Sequence, residues 1–230
     1  MRLVIAILGV AMFAAIAAVV SVARAGPNGL QGLPAPTART WDWPAAAPTD
    51  PAMRAHPRLL SGFIIPLGDV DVPDEEQYLP NSPREYRAGY HEGIDFPTPA
   101  ATPVLAAKAG TVVRVDTAFA EWTTDEEEAA FDAALALGFT PAATLDRIRG
   151  RQVWIDHGAG IVTRYAHLSA VAPLHVGDAV QQGQLIGAVG SSGYREGGPH
   201  LHFEIRVGED FYGDGLPLSQ LRYAISAAFR

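Results

Sequence analysis

Three histidine-containing segments carry the residue types that could hold a metal ion or move protons. His91 and Asp95 stand four residues apart in the segment HEGID, and His200 and His202 stand two apart in HLHFE. His167 lies between them along the chain, in the segment TRYAHL. Imidazole and carboxylate groups are common zinc ligands, and imidazole also titrates near neutral pH. The chain has seven His and no Cys, so a metal site would be built from His, Asp or Glu, and thiolate or disulfide chemistry is excluded.

The spacing of His91 and Asp95 does not indicate a helical metal motif. Gly93 lies between them, and Pro97 and Pro99 follow almost at once. The helical zinc motif HExxH is also absent, because residue 95 is Asp. A strand-to-loop turn could still bring both side chains to one metal, although this pair taken alone is weak evidence and could be a surface coincidence.

The segment from His200 to Val207 predicts a β-strand with one polar face. Side chains two residues apart share a face, so we expect a line of polar groups on an exposed face and a line of apolar groups in the core. The polar set is His200, His202, Glu204 and Arg206, and the apolar set is Leu201, Phe203, Ile205 and Val207. Two imidazoles about 7 Å apart could divide the work, one binding a metal and the other contacting substrate. An ordinary polar strand face is the alternative.

One tyrosine and the three remaining histidines are not expected to belong to the site. Tyr165 shares a strand face with His167, and we expect it to be structural rather than part of the cleft. We exclude three histidines from the site: His56 lies in a linker, His157 in a predicted turn, and His175 just before another turn.

The elements that position these residues are short strands separated by Gly-rich turns. Such strands are predicted over 103–107, 111–115, 153–157, 161–168 and 200–207, and residues 63–65 are short and apolar in the same manner. This pattern predicts a mainly β domain with an antiparallel sheet. The acidic segment 66–90 is predicted to be a loop, and its place before His91 would let it cover the site.

One stretch, residues 117–150, breaks the strand pattern and predicts an inserted helical hairpin. The run from Thr124 to Glu127 has capping-box spacing and leads into a helix that Gly138 would end. Thr140 and Pro141 then fit the N-cap and first position of a second helix that runs to about Ile148. The insertion could act as a lid over a cleft or as a stabilising appendage.

The N-terminal segment predicts export. Residues 3–20 are apolar, Arg2 precedes them, and a small-x-small site ends at Ala25, so we expect a signal peptide of residues 1–25. An uncleaved membrane anchor is the alternative, since eighteen apolar residues can span a bilayer. Either reading places the remainder outside the cytoplasmic membrane, in the periplasm, the cell envelope or the extracellular space. The Pro-rich residues 26–57 read as a linker, and 58–230 as the domain.

The combination of segments resembles the lysostaphin-type (LytM-like) zinc metallopeptidases, which cut peptide bonds in bacterial peptidoglycan. The resemblance covers about residues 60–210 apart from the insertion, and its segments occur in the family's order. They are His91–Asp95, Pro103–Gly110, Ile155–Gly158, Thr163–Leu168, Val176–Gly190 and His200–Glu204.

The resemblance implies a barrel-sandwich hybrid-like fold built on a duplicated hybrid motif, and a catalytic zinc site. It implies that His91, Asp95 and His202 bind Zn²⁺ and that His167 and His200 are the catalytic histidines, without separating their roles. Two imidazoles and a carboxylate would leave a zinc position for water, whose pKa zinc lowers towards about 7. The expected substrate is then a peptidoglycan cross-link or stem peptide.

Two other functions remain open from the sequence. Some family members have lost ligands, and a non-catalytic peptidoglycan-binding or hydrolase-regulating module is the alternative, although all five residues are present here. Residues 176–190 also resemble the turns of lipoyl or biotinyl carrier domains, but they contain no Lys to carry the group. The net charge of −8 argues against nucleic acid as a partner, and an envelope activator protein is left open.

Overall fold

The computed structural model describes residues 59–230. The predicted signal segment, residues 1–25, and the predicted linker, residues 26–57, lie outside this range, as does His56. The strands in chain order are β1 Ile94–Pro97, β2 Pro103–Leu105, β3 Gly110–Val115, β4 Val153–Asp156, β5 Ile161–Ala166, β6 Leu168–Val171, β7 Ala179–Val180, β8 Leu185–Val189, β9 His200–Val207 and β10 Asp210–Phe211. The helices are α1 Thr124–Leu137, α2 Ala142–Arg149 and α3 Leu218–Ala228.

The strands form two antiparallel sheets. The larger sheet has the order β1-β9-β5-β4-β3-β7, with β10 added beside β9, and the smaller sheet has the order β2-β8-β6. The fold is therefore mainly β with an inserted helical hairpin, which confirms the predicted fold class. The predicted strands around residues 103–107 and 111–115 both exist, but they belong to different sheets, since β2 pairs with β8 while β3 pairs with β4 and β7.

The stretch predicted as one strand over 161–168 is divided into β5 and β6. His167 separates the two, with a left-handed φ of 59°, and the chain passes there from the larger sheet to the smaller. Residues 63–65 were expected to be strand-like but form no strand. Their backbone N–H groups bond singly, Phe63 to the Ala228 carbonyl and Ile64 to the Ala107 carbonyl, so no ladder develops.

The inserted hairpin forms at the predicted place, and the N-cap of each of its helices is displaced by one residue. Helix α1 is capped by Thr123, whose hydroxyl accepts from the Glu126 N–H while the Glu126 carboxylate accepts from the Thr123 N–H, so the capping box starts before Thr124. Gly138 ends α1 with φ 74°, as predicted. The N-cap of α2 is Pro141 rather than Thr140, because the Thr140 hydroxyl bonds the Arg87 and Ala88 carbonyls instead.

The core fills the space between the sheets and under α3. Its members are apolar side chains from nearly every strand, together with Leu221, Ile225 and Phe229 at the C-terminal end. Tyr165 is fully buried in this core, where its hydroxyl accepts from the Ala107 N–H at 2.7 Å. No helix within residues 59–230 combines the length and apolar character needed to cross a membrane.

Candidate metal centre and cleft

The centre of the site is set by the pairing of β1 with β9. Asp95 lies directly opposite His202 in the antiparallel register, so their side chains share one face of the sheet. His91 reaches the same place from the turn before β1. That turn passes so close to β9 that a Cβ on Gly93 would lie 2.5 Å from the Phe203 carbonyl oxygen, which explains the glycine inside the segment HEGID.

His91, Asp95 and His202 converge on one point. Asp95 Oδ1 lies 3.0 Å from His91 Nε2 and 2.8 Å from His202 Nδ1, and the two imidazole nitrogens are 3.1 Å apart. Within the described residues these three form the one group of His, Cys, Asp or Glu side chains with metal-binding spacing, and their ligand atoms all lie within 4.8 Å of one another. Two imidazoles and a carboxylate are a donor set that zinc accepts in catalytic sites, so the residues fit that ion.

Hydrogen bonds behind the two imidazoles leave the converging nitrogens free to bind a cation. His91 Nδ1 lies 3.0 Å from the Leu79 carbonyl oxygen, and His202 Nε2 lies 3.1 Å from Glu204 Oε1. With a cation held beside Asp95, protons on Nδ1 of His91 and Nε2 of His202 would bond these accepting oxygens, and the lone pairs of the nitrogens that face Asp95 would be left for the cation.

The remaining two histidines lie beside this group. The ring centroid of His167 is 4.6 Å from that of His200 and 5.7 Å from that of His202. Nδ1 of His167 bonds the Ser192 carbonyl at 2.9 Å, and Nδ1 of His200 bonds the Gly198 carbonyl at 2.8 Å. Both rings therefore direct Nε2 away from these carbonyls. We call the five residues His91, Asp95, His167, His200 and His202 the cleft floor.

Burial and neighbouring charges shift several pKa values in the floor. Burial lowers the pKa of His91 to about 4, and burial together with His200 and His202 lowers that of His167 well below its ordinary value. Burial alone would raise the pKa of Asp95, but the adjacent His91 and His202 outweigh it and hold the pKa well below its usual range. Burial opposes charge on His202 too, yet hydrogen bonds to Asp95 and Glu204 raise its pKa.

The polar face of β9 is buried, which corrects the expectation of an exposed face. His200 and His202 are 7% and 8% exposed, and Glu204 is fully buried. Arginines supply the reason: Arg149, Arg164 and Arg206 surround Glu204 and Glu92, so charges that would need water are paired inside the protein. The opposite correction applies to Val207 at the end of the strand, which was expected in the core and is 40% exposed.

The floor opens into a cleft of about 590 Å³. One side is lined by residues 77–78 and 83–87, which belong to the segment predicted as an acidic loop, and another by α2 and Tyr194. Arg84 in the first of these donates to Asp95 Oδ2 at 3.1 Å. We call residues 77–87, Leu145, Ile148 and Tyr194 the cleft wall.

Aromatic rings fasten the wall to the inserted hairpin. Tyr86 stacks on Tyr194 with ring centroids 5.3 Å apart, and Phe131 of α1 meets the Tyr86 ring edge-on at 5.2 Å. Trp122, just before α1, donates its indole N–H to the Gly193 carbonyl at 3.0 Å. The insertion is thus packed against the cleft, and α2 lines it.

The excluded histidines within the described residues lie away from the floor. His157 bonds the Ala109 carbonyl and the Thr163 hydroxyl, and the His175 side chain is 85% exposed. Sequence reasoning did not single out Arg84, Tyr86, Arg149 or Tyr194. The strand pattern places Glu204 on the same polar face as His202 without giving it a role, whereas no spacing in the sequence relates the other four residues to the histidines of the site.

Comparisons with known proteins agree with the geometry. Residues 133–213 match the model of peptidase family M23, a range that includes His167, His200 and His202 but begins after His91 and Asp95. The DD-carboxypeptidase/endopeptidase Mpg of Neisseria meningitidis is 32% identical over 142 residues, which cover 60% of this chain and 26% of that protein. The peptidoglycan DD-endopeptidase ShyC of Vibrio cholerae is 30% identical over 117 residues, covering 51% and 20%.

The chain thus spans about a quarter or less of the length of these curated relatives. Among solved structures, the catalytic domain of lysostaphin from Staphylococcus simulans is 29% identical, with 59% of this chain and 80% of that chain covered and a TM-score of 0.40. The family match and the relatives confirm the predicted resemblance to LytM-like peptidases of family M23.

Proposed function

We propose that this LytM-like M23 chain is an exported zinc metalloendopeptidase that hydrolyses peptide bonds in peptidoglycan cross-links or stem peptides. The observation that carries the proposal is the convergence of five residues from three separate chain segments on the floor of one cleft. The substrate class is supported by relatives whose names record peptidoglycan endopeptidase activity.

His91 Nε2, Asp95 Oδ1 and His202 Nδ1 are the proposed zinc ligands. Bound zinc supplies Lewis acidity, which makes water a nucleophile near neutral pH and polarises the scissile carbonyl. The protein holds the three metal-donor atoms at hydrogen-bond distances from one another. The ring nitrogens on the other side of each imidazole, Nδ1 of His91 and Nε2 of His202, are already hydrogen-bonded. The site therefore needs little rearrangement to receive the ion.

His167 and His200 are the proposed proton-transfer groups. Each ring is fixed through Nδ1 to a backbone carbonyl, so each presents Nε2 to the cleft side of the floor. Peptide hydrolysis needs one group to accept a proton from water and one to donate a hydrogen bond to the oxyanion or a proton to the leaving amine. The two imidazoles share these roles.

The remaining proposals concern location and organisation. Residues 1–25 are proposed to direct export or to anchor the chain, residues 26–57 to link, and residues 58–230 to form the peptidase domain. Contact with a membrane would come only through an uncleaved N-terminal segment, and peptidoglycan lies where export would deliver the domain. An envelope activator protein is a further proposed partner.

The test combines metal analysis with product identification. The purified protein should hold about one zinc per chain, as expected for three-ligand catalytic sites. Incubation with purified peptidoglycan should release fragments with new amino termini in stem peptides, identified by mass spectrometry. H91A should lose zinc and products together, while H167A should keep zinc and lose products.

Two outcomes would redirect the assignment. A wild-type protein that holds zinc but releases nothing would favour the non-catalytic, hydrolase-regulating module. Glycan reducing ends without new amino termini would exclude peptide-bond cleavage.

A further inference from the structure

Arg149, the last residue of α2, is joined to the cleft floor in two ways. Its backbone carbonyl accepts the N–H of His167 at 2.8 Å. Its buried guanidinium donates through Nε to Glu204 Oε1 at 2.5 Å and through Nη2 to Glu92. One residue of the insertion therefore contacts the backbone of one floor histidine and the carboxylate behind another.

Glu204 transmits the second contact to His202. Its Oε1 atom accepts from Arg149 Nε and from His202 Nε2, the latter at 3.1 Å. A carboxylate oxygen has lone pairs for both bonds, so the two donors do not compete. Because Glu204 is fully buried, water cannot replace Arg149 as the partner that fixes the direction of this oxygen.

The other arginines near Glu204 contact its second oxygen. Arg164 Nη1 lies 3.3 Å and Arg206 Nη1 lies 3.4 Å from Oε2, and both residues belong to the large sheet itself. Within the described residues, Arg149 is the arginine that donates to Oε1 of Glu204, the same oxygen that His202 contacts.

The exit of α2 is held in place by its surroundings. A Cβ on Gly150 would lie 2.1 Å from the Ser192 carbonyl oxygen, and the Arg151 N–H donates to Ser192 Oγ at 2.9 Å. The same Ser192 carbonyl receives Nδ1–H of His167. Arg149 is therefore positioned by the segment that also orients a floor histidine.

We propose that Arg149 is a positioning residue for the metal centre: through Glu204 it sets the orientation of the His202 ring and so aims Nδ1 at the cation. This inference rests on the proposed zinc site of His91, Asp95 and His202. In this role, the final turn of the insertion helps to hold a metal-binding side chain. A lid or a detachable appendage would not do so.

The experiment measures zinc affinity and ring tautomer in the full-length protein. The dissociation constant for Zn²⁺ is determined by competition with a chromophoric chelator for wild type, R149M, R149K and the control R147M. Loss of a partner behind a metal-binding imidazole typically weakens binding by about 10- to 100-fold, which is the expectation for R149M. R149K keeps the charge but not the planar fork and should weaken binding by about threefold or more.

The control and a spectroscopic readout separate positioning from general stability. Arg147 lies on the same helix but pairs with Glu126 and covers Trp122, so R147M should bind zinc within about twofold of wild type. Long-range ¹H–¹⁵N spectra of His202 in the zinc-loaded protein should show the Nε2–H tautomer in wild type and a mixture in R149M.

Each result decides something. Zinc affinity and His202 spectra equal to wild type in R149M, even with a lower melting temperature, would overturn the positioning role. If R149M does not fold, R149K decides, and binding within twofold would overturn it equally. A wild-type protein that does not bind zinc would instead overturn the proposed function on which this role depends.

Discussion

The cleft floor and the cleft wall are held by different kinds of interaction. The floor stands on the paired strands β1, β9 and β5, and each of its four histidines has one ring nitrogen bonded to a fixed carbonyl or carboxylate. The wall is joined to the inserted hairpin by side-chain rings, namely the stacked Tyr86 and Tyr194 and the edge contact from Phe131. Ladder bonds are made by main-chain groups that every residue except Pro carries, whereas ring contacts require aromatic side chains. We therefore expect substitutions in the floor to change chemistry and those in the wall to change substrate fit.

The largest expected effect separates two floor histidines that are two residues apart. H202A should lose both zinc and activity, because a proposed zinc ligand is removed. H200A should keep about one zinc per chain while its turnover falls by about 10²–10⁴-fold, the usual contribution of a general acid or base. Zinc content by atomic emission and peptidoglycan digestion rates would measure both. Loss of zinc in H200A would indicate that His200 is a ligand. It would contradict the proposed division of the floor into three zinc ligands and two proton-transfer groups.

A smaller effect is expected in the wall. F131A removes the ring that meets Tyr86, a contact of about 0.5–1.5 kcal/mol, so KM for a stem-peptide substrate should rise by about two- to tenfold with kcat nearly unchanged. The matched control is F139A, since Phe139 is 58% exposed at the tip of the hairpin. A fall in kcat without a change in KM would mean that the wall acts on the floor rather than on substrate fit.

The smallest effect concerns the outer side of the hairpin and depends on pH. A hydrogen bond from Arg114 lowers the pKa of Asp146 in α2, against the effect of partial burial. A depressed carboxyl pKa stabilises the folded state above the unfolded value, near pH 4, and this stabilisation disappears as the pH falls through the folded value. D146N should lower the melting temperature by about 1–3 °C at pH 7 and not at pH 2.

Thermal melts of D146N at both pH values, compared with D132N on the exposed face of α1, would measure this contribution. An equal deficit at pH 2 and pH 7 would show that the Asp146 charge is not its source.

The floor could be predicted from sequence because its signals are periodic or ordered. The two-residue spacing of His200 and His202 gives a shared strand face, and the order of the motifs gives the resemblance that names the other three residues. The wall could not be predicted in the same way. The contact of Tyr86 with Tyr194 joins residues more than one hundred positions apart in segments without regular strands or α-helices, and no local pattern reports such a meeting.

Two errors in the prediction have physical causes of the same kind. The face of β9 was expected to be exposed because its residues are polar, but arginines from α2, β5 and β9 neutralise its carboxylate and permit burial. The strand over 161–168 was expected to be continuous because its residues favour strands, but the tertiary fold turns the chain at His167. In both cases long-range contacts override a correct local preference.

The insertion begins and ends side by side. The Asp116 N–H bonds the Gln152 carbonyl at 2.9 Å, and Val115 pairs with Val153 where β3 meets β4. When the ends of a segment are already adjacent, doubling its length costs only about 0.6 kcal/mol of closure entropy. Hairpins of other lengths and sequences could therefore be exchanged at this point in evolution or by design, altering what the cleft admits while the sheet that carries the floor stays intact, provided that the exchanged segment stops before Arg149.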